Sequence, residues 1–137
     1  MNISHIEHIA IAVTSLDEAV PLYEKLLGVS CYAMEEVADQ KVRTAFFRIG
    51  QTKIELLEGT APDSPVSKFI LRRGEGIHHV AFKVADVDDG LKEMESRGFR
   101  LIDTTSRRGA EGLDIGFLHP SSTHGVLIEL CGVKDIT

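Results

Sequence analysis

His8-Ile9-Ala10-Ile11-Ala12-Val13 returns 71 residues later as His79-Val80-Ala81-Phe82-Lys83-Val84. The same offset carries Asp17 onto Asp88, Glu24 onto Glu95 and Phe46 onto Phe117. Gly28 falls on Gly98 at an offset of 70, and Lys53-Ile54-Glu55-Leu56 falls on Leu127-Ile128-Glu129-Leu130 at 74. Matches in one order along the chain make an internal duplication. A solenoid needs at least three repeats, so two indicate a pseudo-symmetric pair sharing one core.

Each copy reads as a strand, a helix and three more strands. In the first, Ile9, Ile11 and Val13 alternate with His8, Ala10 and Ala12, the pattern of a strand with one face packed under a helix. Ser15-Leu16-Asp17-Glu18 has capping-box spacing, and Gly28 suits the helix stop. Pro21 has no N–H for the carbonyl of Asp17, which predicts a kink or an irregular first turn. In the second copy Asp86 caps, Leu91 and Met94 share a face, and Gly98 ends the helix. The remaining strands are expected near 30–37, 42–49 and 52–58, then near 100–104, 113–118 and 125–131. The fold class is therefore α+β, two βαβββ modules (about 1–59 and 76–137) whose sheets curl into a half-barrel.

Between them, residues 60–75 read as a helical connector. Asp63 or Ser64 can cap, Pro65 suits the first turn, and Val66, Phe69 and Ile70 share an apolar face before Gly74 and Gly76. A module of about 60 residues is marginal alone, so residues 1–137 are expected to fold as a single domain.

Lys and Arg number 15 and Asp and Glu 21, for a net charge of −6. That balance argues against a nucleic-acid partner and against general attraction to anionic membranes. No apolar run approaches the roughly 18–20 residues that span a bilayer. Met1-Asn2-Ile3-Ser4-His5 lacks a signal peptide's basic-then-apolar order. Cys31 and Cys131 form no CxxC and read as reduced thiols, so a cytoplasmic protein is expected.

The duplication also aligns polar groups. His8 matches His79, and Glu55 matches Glu129. Both glutamates sit in apolar sequence, where an ionised carboxylate is expensive unless paired or bound to metal. Alternation puts Glu129 opposite Ile128 and Leu130, and His8 opposite Ile9 and Ile11. Ala10, Ala12 and Ala81 leave room beside the imidazoles. In a half-barrel the two imidazoles and two carboxylates converge. They suit one divalent ion of borderline hardness, such as Co²⁺, Mn²⁺, Ni²⁺ or Zn²⁺, and leave two octahedral positions open. His5 and His78 fall on the other face or at strand ends, and His119 and His124 in a loop, so they are set aside.

Paired βαβββ modules with His, Glu, His, Glu on their strands resemble the vicinal oxygen chelate superfamily, which includes glyoxalase I. Three stretches are similar to its methylmalonyl-CoA epimerase family: Asp63-Ser64-Pro65 through Gly74-Glu75-Gly76-Ile77-His78-His79, then Phe117-Leu118-His119-Pro120, then Gly125 to Leu130. The resemblance implies His8, Glu55, His79 and Glu129 as metal ligands, an acyl-CoA substrate and a homodimer. It also implies exchange of the 2R and 2S forms of methylmalonyl-CoA through an enolate. Glu129 is the first candidate for the proton-transferring carboxylate and Glu55 the second. Thr44 stands where some members carry a carboxylate, Lys41 where glycine is usual, and Ser121 where lysine follows the His-Pro pair.

Three rivals were weighed. A glyoxalase-type lyase acting on a glutathione hemithioacetal would use the same ligands, but the connector and the Gly125–Leu130 stretch favour the epimerase. An extradiol-type dioxygenase needs two histidines and one carboxylate, and Glu55 is one carboxylate too many. A metal-free binding protein on this fold would break the four-residue set. For the CoA phosphates, Lys68, Arg72 and Arg73 cluster on the connector and Arg107 and Arg108 lie together before Gly109.

Overall fold

A computed structural model describes residues 1–133. The chain divides into two compact units, residues 8–78 and residues 1–7 together with residue 79 onward. The first strand, β1 (Ile6–Ala12), passes from one unit to the other. The N-terminal residues therefore join the second module rather than the first. Ser4 donates its backbone N–H to the Lys83 carbonyl, and Lys83 donates to His5.

In residues 8–78, α1 (Leu16–Leu27) follows β1, then β2 (Ala33–Val37), β3 (Val42–Ile49), β4 (Thr52–Gly59) and α2 (Pro65–Arg73). β3 pairs antiparallel with β2 and with β4, and β4 pairs parallel with β1. The Ser15 side chain accepts the Glu18 N–H at the start of α1, and Gly28 closes the helix at φ 71°. Pro21 lies inside the helix without dividing it. Glu58 reaches across from β4 to accept the N–H of Leu16, satisfying a helix-start donor.

The two sheet faces differ in what covers them. Val13, Leu16, Ala45, Phe47 and Leu56 form one core, with Ile11, Ile54, Val20 and Tyr23 packed against it, so α1 covers the face the sequence assigned to it. On the other face Ala10, Ala12, Val42 and Leu57 pack with Val66, Phe69 and Ile70 of α2. Ser64, wholly buried, caps α2 by accepting from the N–H groups of Val66 and Ser67, with Pro65 in the first turn.

The other unit holds β5 (Gly76–Lys83), which begins in the first, then α3 (Val87–Ser96), β6 (Arg107–Arg108), β7 (Asp114–Leu118) and β8 (Ile128–Gly132). β8 pairs parallel with β5 and antiparallel with β7, and β7 pairs with β6. Asp86 caps α3 through the Asp89 N–H. Val84, Val87, Leu91, Met94, Leu118 and Leu130 form its core on one face, and Ala81, Ile115, Phe117 and Cys131 a smaller cluster. Gly116 and Gly132 allow close packing. A Cβ at Gly116 would meet Leu91, and one at Gly132 would lie 2.5 Å from the Val84 carbonyl oxygen.

One expected strand is displaced. Residues 100–104 do not form a strand beyond a single bridge between Leu101 and Leu118, and the short strand beside β7 is Arg107–Arg108. The reason is Asp103, whose carboxylate takes the Phe117 N–H that a ladder would need. Three single 3₁₀ turns, at 38–40, 110–112 and 120–122, also lie outside the sequence reading.

Candidate metal and substrate site

Each unit carries a buried His–Glu pair. In residues 8–78, His8 and Glu55 lie on β1 and β4, two residues apart in register, because Glu55 pairs with Ala10. His8 Nδ1 is 3.2 Å from Glu55 Oε2, and both residues are buried. In the other unit β5 carries His79 and β8 carries Glu129, which pairs with Ala81. His79 Nε2 is 3.2 Å from Glu129 Oε1, again with both buried. The duplication thus reproduces the pair, its strand register and its spacing. The alanine beside each histidine, wholly buried in both units, is the small residue that lets the carboxylate sit there.

An aromatic ring accompanies each pair. Phe46 lies opposite Glu55 across β3 and β4, and Phe117 opposite Glu129 across β7 and β8. Phe117 presents its ring to His79 edge-to-face, with centroids 5.3 Å apart. A cation faces each ring: Lys53 is 5.7 Å from the Phe46 centroid, and Arg107 is 5.5 Å from that of Phe117.

The cations differ in their surroundings. Arg107 is half exposed and paired with Asp103. Lys53 is only 3% exposed, and its Nζ is 3.5 Å from the same Glu55 Oε2 that His8 approaches. The sequence reading missed Lys53. The signal was available in the repeat, because Lys53 corresponds to Leu127 and so departs from the duplication.

Thr44 is buried between Glu35 on β2 and Leu57 on β4. Lys41 takes φ 54°, a left-handed conformation that glycine adopts more readily, and its ammonium pairs with Asp63. That pair holds the Asp63 carboxyl below its ordinary 3.8. His78 packs against Phe69, His5 bonds Ser4, and the His119 ring accepts the Ser121 N–H, so these three serve local structure. The basic clusters are partly engaged, with Arg73 over Phe69 and Arg108 near Asp114. Cys31 and Cys131 form no disulfide.

Imidazole and carboxylate are both ligands that suit a divalent ion of borderline hardness, and each buried pair offers one of each. Each pair brings its donor atoms close enough to serve one ion. The chain belongs to the glyoxalase/bleomycin resistance protein/dioxygenase superfamily, whose profile matches residues 7–117. Its relatives within that superfamily include methylmalonyl-CoA epimerases. The mitochondrial methylmalonyl-CoA epimerase of Dictyostelium discoideum is 35% identical over 95% of this chain and 79% of its own length. The uncharacterised protein YqjC of Bacillus subtilis is 41% identical over 96% of this chain and 94% of its own. A solved methylmalonyl-CoA epimerase in complex with methylmalonyl-CoA and NH4+ is 38% identical, covers 98% of each chain and superposes with a TM-score of 0.93. The eight strands and three helices follow that fold. Among the described residues no helix is long and apolar enough to cross a membrane.

Proposed function

We propose that the protein is a metal-dependent epimerase that interconverts (2R)- and (2S)-methylmalonyl-CoA. The observation that carries this reading is the recurrence of one buried His–Glu pair in both units of a chain that aligns over 95% of its length with an epimerase of that substrate. His8, Glu55, His79 and Glu129 would hold a single divalent ion, Co²⁺ foremost. When bound, that ion supplies Lewis-acid stabilisation for the negative charge that develops on the thioester oxygen.

The chain's own groups move the proton. The Glu129 carboxylate takes the α-proton from one face of the acyl group. The pair of electrons left behind delocalises onto the thioester as an enolate, and a proton returned to the opposite face gives the other epimer. Glu55 is the second carboxylate in the proposal, because a threonine at position 44 is no base near neutral pH. Burial of both glutamates keeps bulk water from competing for the enolate. Assembly as a homodimer in the cytoplasm completes the reading, and sedimentation velocity tests the dimer.

The decisive test is α-deuterium exchange. Metal-loaded protein is incubated with (2S)-methylmalonyl-CoA in D₂O and followed by NMR. Exchange with at least one of Co²⁺, Mn²⁺, Ni²⁺ or Zn²⁺ is expected, and none with any of them would sink the proposal. Glu129→Gln is expected to slow exchange by about 10²- to 10⁴-fold.

A further inference from the structure

We infer that Arg107 is a substrate-binding residue, whose guanidinium donates hydrogen bonds to the free carboxylate of the acyl group. The inference rests on the epimerase reading and deepens it by naming what recognises a dicarboxylyl-CoA. Every residue involved lies in the later unit, from residue 79 onward.

Register puts Arg107 on the sheet face that carries the His79–Glu129 pair. Ala81 pairs with Glu129, Glu129 pairs with Phe117, and Arg107 pairs with Ile115, two residues before Phe117. Paired residues point to one face, and residues two apart return to it. His79, two residues before Ala81, shares that face. Arg108 alternates to the other face and lies near Asp114. Of the two adjacent arginines, only Arg107 is on the side of the pair.

A half-exposed arginine beside an aspartate is ordinarily a surface ion pair worth little. The surroundings of Arg107 set it apart. Its Nε–H donates to Asp103 Oδ1 at 3.1 Å, while Oδ2 of the same carboxylate takes the Phe117 N–H at 2.9 Å. Asp88 fixes the preceding residue by accepting from the N–H and the hydroxyl of Ser106 at 2.7 and 2.9 Å. The guanidinium carbon lies 5.5 Å from the Phe117 ring centre. One of the five guanidinium donors thus anchors the group, and its two Nη amino groups make no hydrogen bond among the described residues. Those two amino groups form a planar fork that matches a carboxylate.

The duplication shows that the edge strand does not need a cation there. Thr44 matches Ile115 at the offset of 71, and the residue opposite Thr44 is Glu35, whereas Arg107 is opposite Ile115. Equivalent places in the two modules carry opposite charges.

Proximity decides which anion Arg107 meets. One ring, that of Phe117, touches both the guanidinium and the His79 imidazole, and it lies directly across from Glu129. In the proposed reaction Glu129 takes the proton from the α-carbon, and the free carboxylate is bonded to that same carbon. The CoA phosphates are set off from the thioester by the whole pantetheine arm. With the α-carbon beside Glu129, the carboxylate is the anion within reach of Arg107.

Malonyl-CoA and propionyl-CoA separate the two kinds of anion, because both carry the CoA phosphates and only malonyl-CoA carries a free carboxylate. Binding of each to Co²⁺-loaded protein is measured by titration calorimetry for the wild type, Arg107→Gln, Arg107→Met and Lys92→Gln. Lys92 is an exposed cation on α3, which packs on the opposite sheet face. Both Arg107 variants are expected to weaken malonyl-CoA about 10- to 100-fold, the worth of a hydrogen bond to a charged group. Their propionyl-CoA affinity should stay within threefold of wild type, and Lys92→Gln should leave both ligands within threefold. Equal losses for the two thioesters would mark a phosphate contact or a structural role and overturn the proposal. So would malonyl-CoA affinity within threefold of wild type in both Arg107 variants, a matching loss in Lys92→Gln, or a wild type that does not bind malonyl-CoA. Two neutral side chains are used so that poor folding of one leaves the other to decide. α-Deuterium exchange by the wild type is scored separately. Its absence sinks the epimerase reading, while the malonyl-to-propionyl ratios decide the role of Arg107.

Discussion

If one ion is held by both His–Glu pairs, metal should stabilise the fold, and substitution in either unit should cut that stabilisation. Ligand that binds only the native state adds about 2.7 kcal/mol when present at one hundred times its dissociation constant. The unfolding entropy is about 2.1 cal/mol/K per residue, so the 137-residue chain has about 0.29 kcal/mol/K. Saturation to that degree should then raise Tm by about 9 °C over chelator-treated protein. Each tenfold loss of metal affinity, worth about 1.4 kcal/mol, removes about 5 °C of that rise. His8→Ala leaves Glu55 beside Lys53, and His79→Ala leaves Glu129 without its 3.2 Å partner. Both should lose most of the metal-induced rise and bind less metal by elemental analysis, although the two histidines lie in different units. Differential scanning calorimetry with and without Co²⁺ reads this directly. A wild-type Tm that ignores metal, or a rise that survives in one of the two variants, would refute a shared ion.

Two further predictions concern the framework. Gly132→Ala places a Cβ 2.5 Å from the Val84 backbone carbonyl, which cannot swing away as a side chain could. A loss of about 1–3 kcal/mol is expected in denaturant titration, and a stability unchanged from wild type would contradict the packing. Lys41→Met should return the Asp63 carboxyl to its ordinary range in an NMR titration, because the Lys41 hydrogen bond is the main cause of its lowered value. The sign follows from that lowering: the contribution is present above the unfolded value near 3.8 and is lost as pH falls through the lower folded value. An Asp63 titration that does not move on losing Lys41 would sink the assignment.

The duplication made the fold legible, since it located both β5 and the last strand by analogy with the first copy. The four polar ligand candidates were legible for the same reason: a repeated polar residue in apolar sequence has a shared cause. What escaped notice was whatever broke the repeat. Lys53 follows Gly50-Gln51-Thr52 and looks like a solvated strand end. Its burial shows only in the fold, where the ring of Phe46 comes in from β3 and the carboxylate of Glu55 stands two residues along β4. The strand expected at 100–104 failed because Leu101 and Ile102 have strand-like character, while the Asp103 side chain takes over the hydrogen bond that would extend the ladder. Nor could local pattern show that residues 1–7 join the later module, because that pairing is a matter of partner choice and not of propensity.

The change of unit within β1 bears on how the chain folds during synthesis. Ser4 and His5 bond Lys83, so both must wait for a partner made about 80 residues later. At about 5–20 residues per second that interval is several seconds. The first module can meanwhile assemble around Ala10–Leu57 and β3, with the preceding residues trailing as a loose end. Cutting the gene at the repeat boundary would therefore not yield two equal halves. The later fragment would lack the segment that completes its edge, and the earlier one would carry a short tail with nothing to pair with.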